Sequence, residues 1–345
     1  MIGSTRYAAA QLPVNFLRSL ADVSAALGID ANRLCMGLGF DLADLSNPQS
    51  RVSLRQATLM IKRALEMTKG RDRGLGLDMS AHETIGSMGL VGFAMLTSAT
   101  LEQAIGLGIA MQKQTGALLD FEKFEEAESF SIRATCSVHE PDIQSFLVEE
   151  AFGVFMNIAR TLVGNEFTPT RIQLSYPKPV HAAQYEQLFK CPIHFEQTQN
   201  VFTCDALWAR KPIATQDSLS NRQVLELLQT NEQQPFNESE FIESIERIVR
   251  RDLRNTVSLS AVASQLCMSD RTLRRRLTEH GVSYQAVLDD LRKNRALSLL
   301  NNSRLTLDEI AYEVGFSDAH NFRRAFKRWT GHGPRQAVQL ERHAE

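Results

Sequence analysis

The chain has 345 residues, 43% of them apolar and 23% charged, an ordinary globular composition with room for two cored domains. Its formal net charge of −2 hides an asymmetry: residues 247–345 carry 18 Lys and Arg against 11 Asp and Glu, a net +7, and residues 1–246 carry −9. The five cysteines (Cys35, Cys136, Cys191, Cys204, Cys267) are odd in number and form no CxxC, which argues against a disulfide framework and a Cys-rich zinc site, and no run of 18 apolar residues is present to span a membrane.

Taken in chain order, the front half alternates helical and strand patterns. Residues 12–27 have helical apolar spacing closed by Gly28, and residues 54–67 repeat it up to Gly70. Residues 86–96 and 101–111 predict two more helices, with Thr100 in a capping position between them. Residues 118–124 and 130–137 predict a hairpin around an acidic turn. Residues 142–163 predict a long helix that is apolar on more than one face, hence central. Residues 171–176, 193–195 and 201–203 read as short strands. The sum is an α+β domain with a small, largely antiparallel sheet and helices packed on it. A helix from 217 to 228 leads into "QTNEQQPFNESE", which is polar and reads as a linker, and everything after Phe241 is helical in pattern. The expected division is an α+β domain over 1–215, a linker over 216–240 and an all-α domain over 241–345.

The back third contains an internal repeat. "LSAVASQLCMSDRTLRRRL" and "LDEIAYEVGFSDAHNFRRAF" match at Leu259/Leu307, Val262/Ile310, Ala263/Ala311, Leu266/Val314 and Ser269-Asp270/Ser317-Asp318. After one extra residue in the second copy, Leu273 matches Phe322 and Leu277 matches Phe326. Each copy reads as helix, turn, helix, with Ser269 and Ser317 in the N-cap position of the second helix and a small Ala that permits a close crossing. With Phe322 at 0° on a helical wheel, Phe326 falls at about 40° and Trp329 at about 340°, whereas Arg324, His320 and Lys327 fall near 200°, 160° and 140°. In the first copy Leu273 and Leu277 make the apolar stripe, and Arg275, Arg271 and Arg274 fall near 200°, 160° and 100°. One such helix would be ordinary surface amphipathicity. Two in the same register suit a major groove, where Arg bonds guanine edges and phosphates. Residues 284–300 predict a spacer helix between the copies.

These residues resemble a known family. "SLSAVASQLCMSDRTLRRRLTEHGVSYQAVLDDLRKNRALSLL" followed by "LTLDEIAYEVGFSDAHNFRRAFKRWTGHGP" resembles the DNA-binding domain of AraC/XylS-type bacterial transcription regulators. The resemblance implies two helix-turn-helix subdomains joined by a linker helix. It places base-reading positions on Arg271, Arg274 and Arg275, and on Ala319, His320, Arg323 and Arg324. Two departures stand out: Cys267 occupies a turn position where the family often has Gly, and "PRQAVQL" replaces the family's Tyr-Arg after the Pro. The front half, through "GSMGLVGFAMLTSATLEQAI" and "YPKPVHAAQYEQLFKCPIHFEQTQNVFTCDALWARKPI", resembles the arabinose-binding-like domain of the ornithine-utilisation type of these regulators. That resemblance implies effector sensing and control of association, in a cytoplasmic activator whose partners are double-stranded DNA, RNA polymerase, a small-molecule effector and a second copy of the chain.

No enzyme chemistry is legible. His82, His139, His181 and His194 are in no metal-ligand spacing, "GSMG" and "GLG" lack the GK[ST] of a phosphate loop, and "AESFS" lacks a nucleophile elbow. No catalytic residue, metal or cofactor is therefore assigned. Met88, Phe93, Phe152, Phe155 and Met156 are the candidates to line an effector pocket, with a plain core the commoner account of each.

Overall fold

The computed structural model describes residues 10–69, 74–112, 115–126, 128–136, 140–231, 239–255, 257–302, 305–334 and 336–337. The first residues, His139, residues 232–238 of the expected linker, and Arg335 with most of the tail lie outside the described residues. The chain forms two compact units, Met1–Leu34 with Leu42–Asn237, and Cys35–Asp41 with Glu238–Glu345.

The first unit opens with β1 (Ala10–Pro13) and α1 (Asn15–Ala26). The predicted start of this helix at residue 12 is too early: Leu12 precedes Pro13, whose ring disfavours helical backbone at the preceding residue, and Leu12 pairs with Val52 instead. α2 (Ala31–Cys35) and α3 (Leu42–Leu45) follow, then β2 (Arg51–Ser53), which pairs antiparallel with β1. α4 (Leu54–Thr68) begins with a capping box between Ser53 and Gln56. α5 (Leu75–His82) leads to a short 3-10 turn, Ile85–Met88, and α6 (Leu90–Leu96). The single helix expected over 86–96 is thus broken at Gly89, whose φ of 60° is the left-handed conformation that glycine supplies without steric cost. α7 (Leu101–Ala110) has Thr100 as its cap, accepting from Gln103 N at 3.3 Å.

The hairpin is present as β3 (Leu119–Glu125) and β4 (Ser129–Cys136), in register Phe121↔Ala134. Then come α8 (Pro141–Val163), β5 (Arg171–Gln173), α9 (Ala182–Phe189), β6 (Ile193–His194), β7 (Asn200–Asp205), α10 (Ala206–Ala209) and α11 (Ser218–Asn231). The sheet order is β3-β4-β7-β5-β6, antiparallel except for the β5–β6 pair. α8 buries Phe146, Val148, Phe152, Met156 and Leu162, which is the multi-faced burial its composition predicts. Glycines let α5 lie close against α8: a Cβ on Gly76 would sit 2.4 Å from Phe146 O, and one on Gly153 would sit 2.1 Å from Ser80 Oγ. Asn157 on α8 donates to Ser80 O at 2.7 Å, which fixes the C-terminal end of α5 on the long helix.

The second unit is helical: α12 (Glu240–Arg251), α13 (Leu259–Gln265), α14 (Asp270–Glu279), α15 (Tyr284–Asn302), α16 (Leu307–Glu313) and α17 (Ala319–Thr330). One core gathers Phe241, Ile245, Val249, Val262, Leu273 and Leu277. A second gathers Ile310, Ala311, Val314, Phe322 and Phe326, with Trp329 against it. α15 serves both, through Val287, Leu288 and Leu291 in the first and Ala296 in the second. The short segment Cys35–Asp41 also belongs to this unit. Arg247 donates to Gly39 O at 2.9 Å, and Arg251 pairs with Asp41 at 2.8 Å.

Candidate nucleic-acid interface

Each repeat folds as a helix-turn-helix, α13–α14 and α16–α17. In the first turn Cys267 has φ 54°, and in the second Gly315 has φ 81°. The left-handed residue is therefore needed in both copies, and the first copy meets it with a cysteine. α14 is capped by Ser269, which accepts from Thr272 N at 3.2 Å. α17 is capped by Asp318, which accepts from Asn321 N at 2.7 Å, and Ser317 Oγ donates to Asp318 at 3.1 Å. The cap expected at Ser317 is thus shifted by one. The extra residue in the second turn is the cause: counted back from Leu273 and Phe322, Ser269 and Asp318 hold the same place. The Asn321 amide holds the Asp318 carboxylate below its ordinary pKa.

The apolar stripes are buried as the wheel predicts. Leu273, Phe322 and Phe326 are fully enclosed, and Leu277 nearly so. On the opposite faces Arg271, Arg274, Arg275, His320, Arg323 and Arg324 are exposed, and Lys327 with them. Ala319 is not: at 5% exposure it sits in the second core, so it offers no accessible side chain at the base-reading position that the resemblance assigns to it. Arg275 is held by Glu279 at 2.7 Å, one turn on. Arg276 leaves the basic face altogether, its guanidinium lying 4.3 Å from the ring centre of Phe241. Among the described residues Arg271, Arg274, Arg323, Arg324 and Lys327 make no ion pair, so their charge is available to an incoming polyanion.

The two subdomains are tied by more than a shared helix. Arg292, in the middle of α15, is buried, donates to Gly315 O at 3.3 Å and lies 5.0 Å from the ring centre of Phe316. Burial lowers its pKa, with the nearby Asp289 acting in the opposite sense. Arg254 pairs with Glu313, which raises its pKa, and Arg328 reaches Asp289 at 2.9 Å. α15 has 19 residues, so it is about 28 Å long at the helical rise of 1.5 Å per residue. Arg292 carries none of the periodicity or charge-face signals that mark the recognition helices, and sequence reasoning misses it.

The first unit contains a cavity of about 360 Å³ framed by α1, the 85–88 turn, β3 and α8. Met88 and Phe155 line it. Phe152 and Met156 are core side chains outside its lining, and Phe93 is an exposed residue of α6. The difference is one of helical phase: Phe155 lies one residue from Met156 and three from Phe152 on α8, and only its own face meets the open space.

Two helix-turn-helix subdomains with basic exposed recognition helices, joined by a helix common to both cores, define a tandem helix-turn-helix DNA-binding protein. Comparison with known proteins gives the family. The profile of the arabinose-binding N-terminal domain of AraC transcription regulators matches residues 28–213, and that of a helix-turn-helix domain matches residues 262–339. The chain belongs to the AraC family of transcription regulators. It is 29% identical to the ornithine utilization regulator of Pseudomonas aeruginosa over 95% of this chain and 96% of that one. It is 27% identical to the transcriptional regulator VqsM of the same organism over 77% of this chain and 83% of that one. Among solved structures it is similar to the transcriptional regulator CdpR from Pseudomonas aeruginosa, at 22% identity and a TM-score of 0.46, covering 94% of this chain and 97% of that one. No described helix is long and apolar enough to cross a membrane.

Proposed function

We propose that this regulator reads its operator through both recognition helices and activates transcription in the cytoplasm, in contact with RNA polymerase, when a small molecule occupies the cavity of its first unit. The observation that carries the DNA reading is the pair of exposed basic faces, Arg271/Arg274/Arg275 and His320/Arg323/Arg324, each set opposite a buried stripe in the same repeat. Arg is the residue type that bonds guanine O6 and N7 with both arms of its fork, and the unpaired cations around it supply phosphate contacts. The cavity of about 360 Å³ favours effector control over regulation by partner binding alone, because a domain serving only as an interaction surface would be packed through. Control through self-association is the second way in which the same unit could act on DNA occupancy.

Footprinting of the full chain on DNA upstream of its own gene, at two salt concentrations, tests this. A discrete protected stretch of about two helical turns per protomer is expected, weakening steeply with salt as phosphate-bound counterions are regained. Salt-sensitive binding with no discrete site would remove the operator reading, and absence of binding at low salt would remove the assignment of these arginines to DNA.

A further inference from the structure

The cavity of the first unit carries an unusual pair of acidic groups. Glu83 ends α5 as its C-cap residue, and Glu150 projects from α8; both line the cavity. They are brought together by the glycine-mediated packing of α5 on α8 and by Asn157, which lies seven residues, two turns, after Glu150 and donates to the backbone of Ser80 and Glu83. Around them the wall is apolar, with Phe16, Leu119, Phe121, Leu147, Val154 and Phe155. Glu83 Oε1 is buried and has no hydrogen-bond partner among the described residues.

The neighbouring carboxyl shows what a structural role looks like. Glu149, adjacent in sequence, accepts from Tyr185 at 2.6 Å and from His181 at 2.7 Å. Glu83 and Glu150 instead face each other, with Ser19 beside Glu83. Two like-charged groups facing one another beside an apolar wall cost stability unless a positive charge joins them. Burial raises both pKa values, that of Glu150 well above its usual range, with repulsion from Glu83 adding to it. Among the described residues lining the cavity no cation answers the pair: Arg18, at the cavity wall, is mostly exposed and 3.8 Å from Asp22 on its own helix. Among the described residues no third His, Cys, Asp or Glu joins them into a metal-binding group.

We infer that this cavity binds a small organic cation, an ammonium or guanidinium carried on an apolar body, with Glu83 and Glu150 as its counter-charges. The cation sits between the two carboxylates, and the apolar body lies against the Phe16–Phe121–Phe155 wall. A neighbouring space of about 70 Å³, which shares Met88, Phe121, Phe155 and Ile158 with the cavity, extends the room for that body. This deepens the effector reading above and rests on it only for the consequence on DNA.

Isothermal titration of the full chain with three probes of one shape tests it: 2-phenylethylammonium, 2-phenylethanol and 3-phenylpropionate. The ammonium is expected to bind about tenfold or more tighter than the alcohol, as charge-assisted hydrogen bonds in a desolvated site require, and the carboxylate not to bind. Glu150→Gln should remove the preference for the ammonium and leave the affinity for the alcohol unchanged; Glu83→Gln repeats the test should the first variant melt without cooperativity. Equal binding of ammonium and alcohol, binding of the carboxylate, a preference that survives both substitutions, or no heat with the ammonium at millimolar concentration would each overturn the inference. The footprint of the same preparation keeps the two readings apart. Cation binding in a chain that protects no DNA leaves the cavity assignment standing and the regulator reading failed; DNA protection with no cation binding does the reverse.

Discussion

The two helix-turn-helix subdomains are copies of one pattern built from different materials. The first packs leucines, caps its helices with Ser258 and Ser269, and tolerates a cysteine at its left-handed turn. The second packs Phe316, Phe322, Phe326 and Trp329, caps its helices with a Thr306–Glu309 box and with Asp318, and has glycine at the turn. Their exposed faces nonetheless carry the same chemistry. What the two copies hold in common is an apolar stripe that fixes the angle of the second helix, and a cationic face opposite it. What differs is how each copy is kept folded, and there the comparison can be broken.

The largest effects are expected in the cores. Phe322→Ala should cost about 3–5 kcal/mol and Leu273→Ala about 2–5 kcal/mol, from lost transfer energy and the cavity left behind. Chemical denaturation of the full chain measures both. Because α15 contributes to both cores, each substitution should also weaken DNA binding beyond its own subdomain. Independent loss of one footprint half would show the subdomains to be uncoupled.

The turns come next. A Cβ at Gly315 would lie 2.5 Å from Leu253 O and 2.9 Å from Arg292 Nη2, besides adopting a positive φ. Gly315→Ala should therefore exceed the roughly 1–2 kcal/mol that a left-handed L-residue costs. Cys267 is exposed, its side chain beside Gly37, and Cys267→Gly should stabilise by about 1 kcal/mol or less, the relief of strain being offset in part by the freer unfolded chain. Opposite signs are expected in paired thermal melts. Equal and opposite magnitudes would mean that crowding by Leu253 and Arg292 contributes nothing.

On DNA, Arg324→Ala and Arg274→Ala should each cost about 1–3 kcal/mol at the cognate site and relax base choice there. Arg275 is different, because its guanidinium is engaged by Glu279 in the free protein. Arg275→Ala should cost less than Arg274→Ala, and Glu279→Gln should tighten binding by releasing it. Competition binding with single-base operator variants separates base readers from phosphate anchors; uniform weakening on all sequences would make Arg324 an anchor.

Much of this contrast is legible in the amino-acid sequence, because a repeat compares a sequence with itself. The buried stripe, the cationic face and the Ser269 cap follow from local spacing, and the odd Cys267 from the family resemblance. The cap on Asp318 is misplaced by that reading because one inserted residue moves the register without leaving a mark of its own. The same limit operates in the first unit. Pro13 accounts for the start of α1 through a local steric rule, but the meeting of Glu83 with Glu150 joins residues 67 apart through glycine packing that no periodicity encodes. Arg292 and the Cys35–Asp41 segment escape for the same reason: their roles are tertiary. Ala319 is the converse case, a position taken from the resemblance whose side chain the fold buries.

The smallest effects, and the sharpest test of the two capping schemes, come from acid. The second subdomain relies on the Glu309 and Asp318 carboxylates, both held below their ordinary pKa by the backbone amides they accept from, whereas Ser258 and Ser269 do not titrate in this range. A carboxylate whose folded pKa is depressed stabilises the fold above its unfolded pKa, and that contribution is lost as pH falls through the folded value. Acidification below the ordinary carboxylate range, about 4.5 for Glu309 and 3.8 for Asp318, should therefore loosen α16 and α17 before α13 and α14. Amide-exchange protection factors, corrected for the intrinsic pH dependence of exchange, should fall first in the second subdomain. A chain carrying Glu309→Gln and Asp318→Asn should lose that difference while keeping most of its cap hydrogen bonds. Ser269→Ala should instead lower the protection of α14 by the ~1 kcal/mol typical of a lost N-cap, at every pH. If the two subdomains lose protection together on acidification, their coupling through α15 and Arg292 outweighs the local chemistry of the caps, and the pair behaves as one cooperative unit.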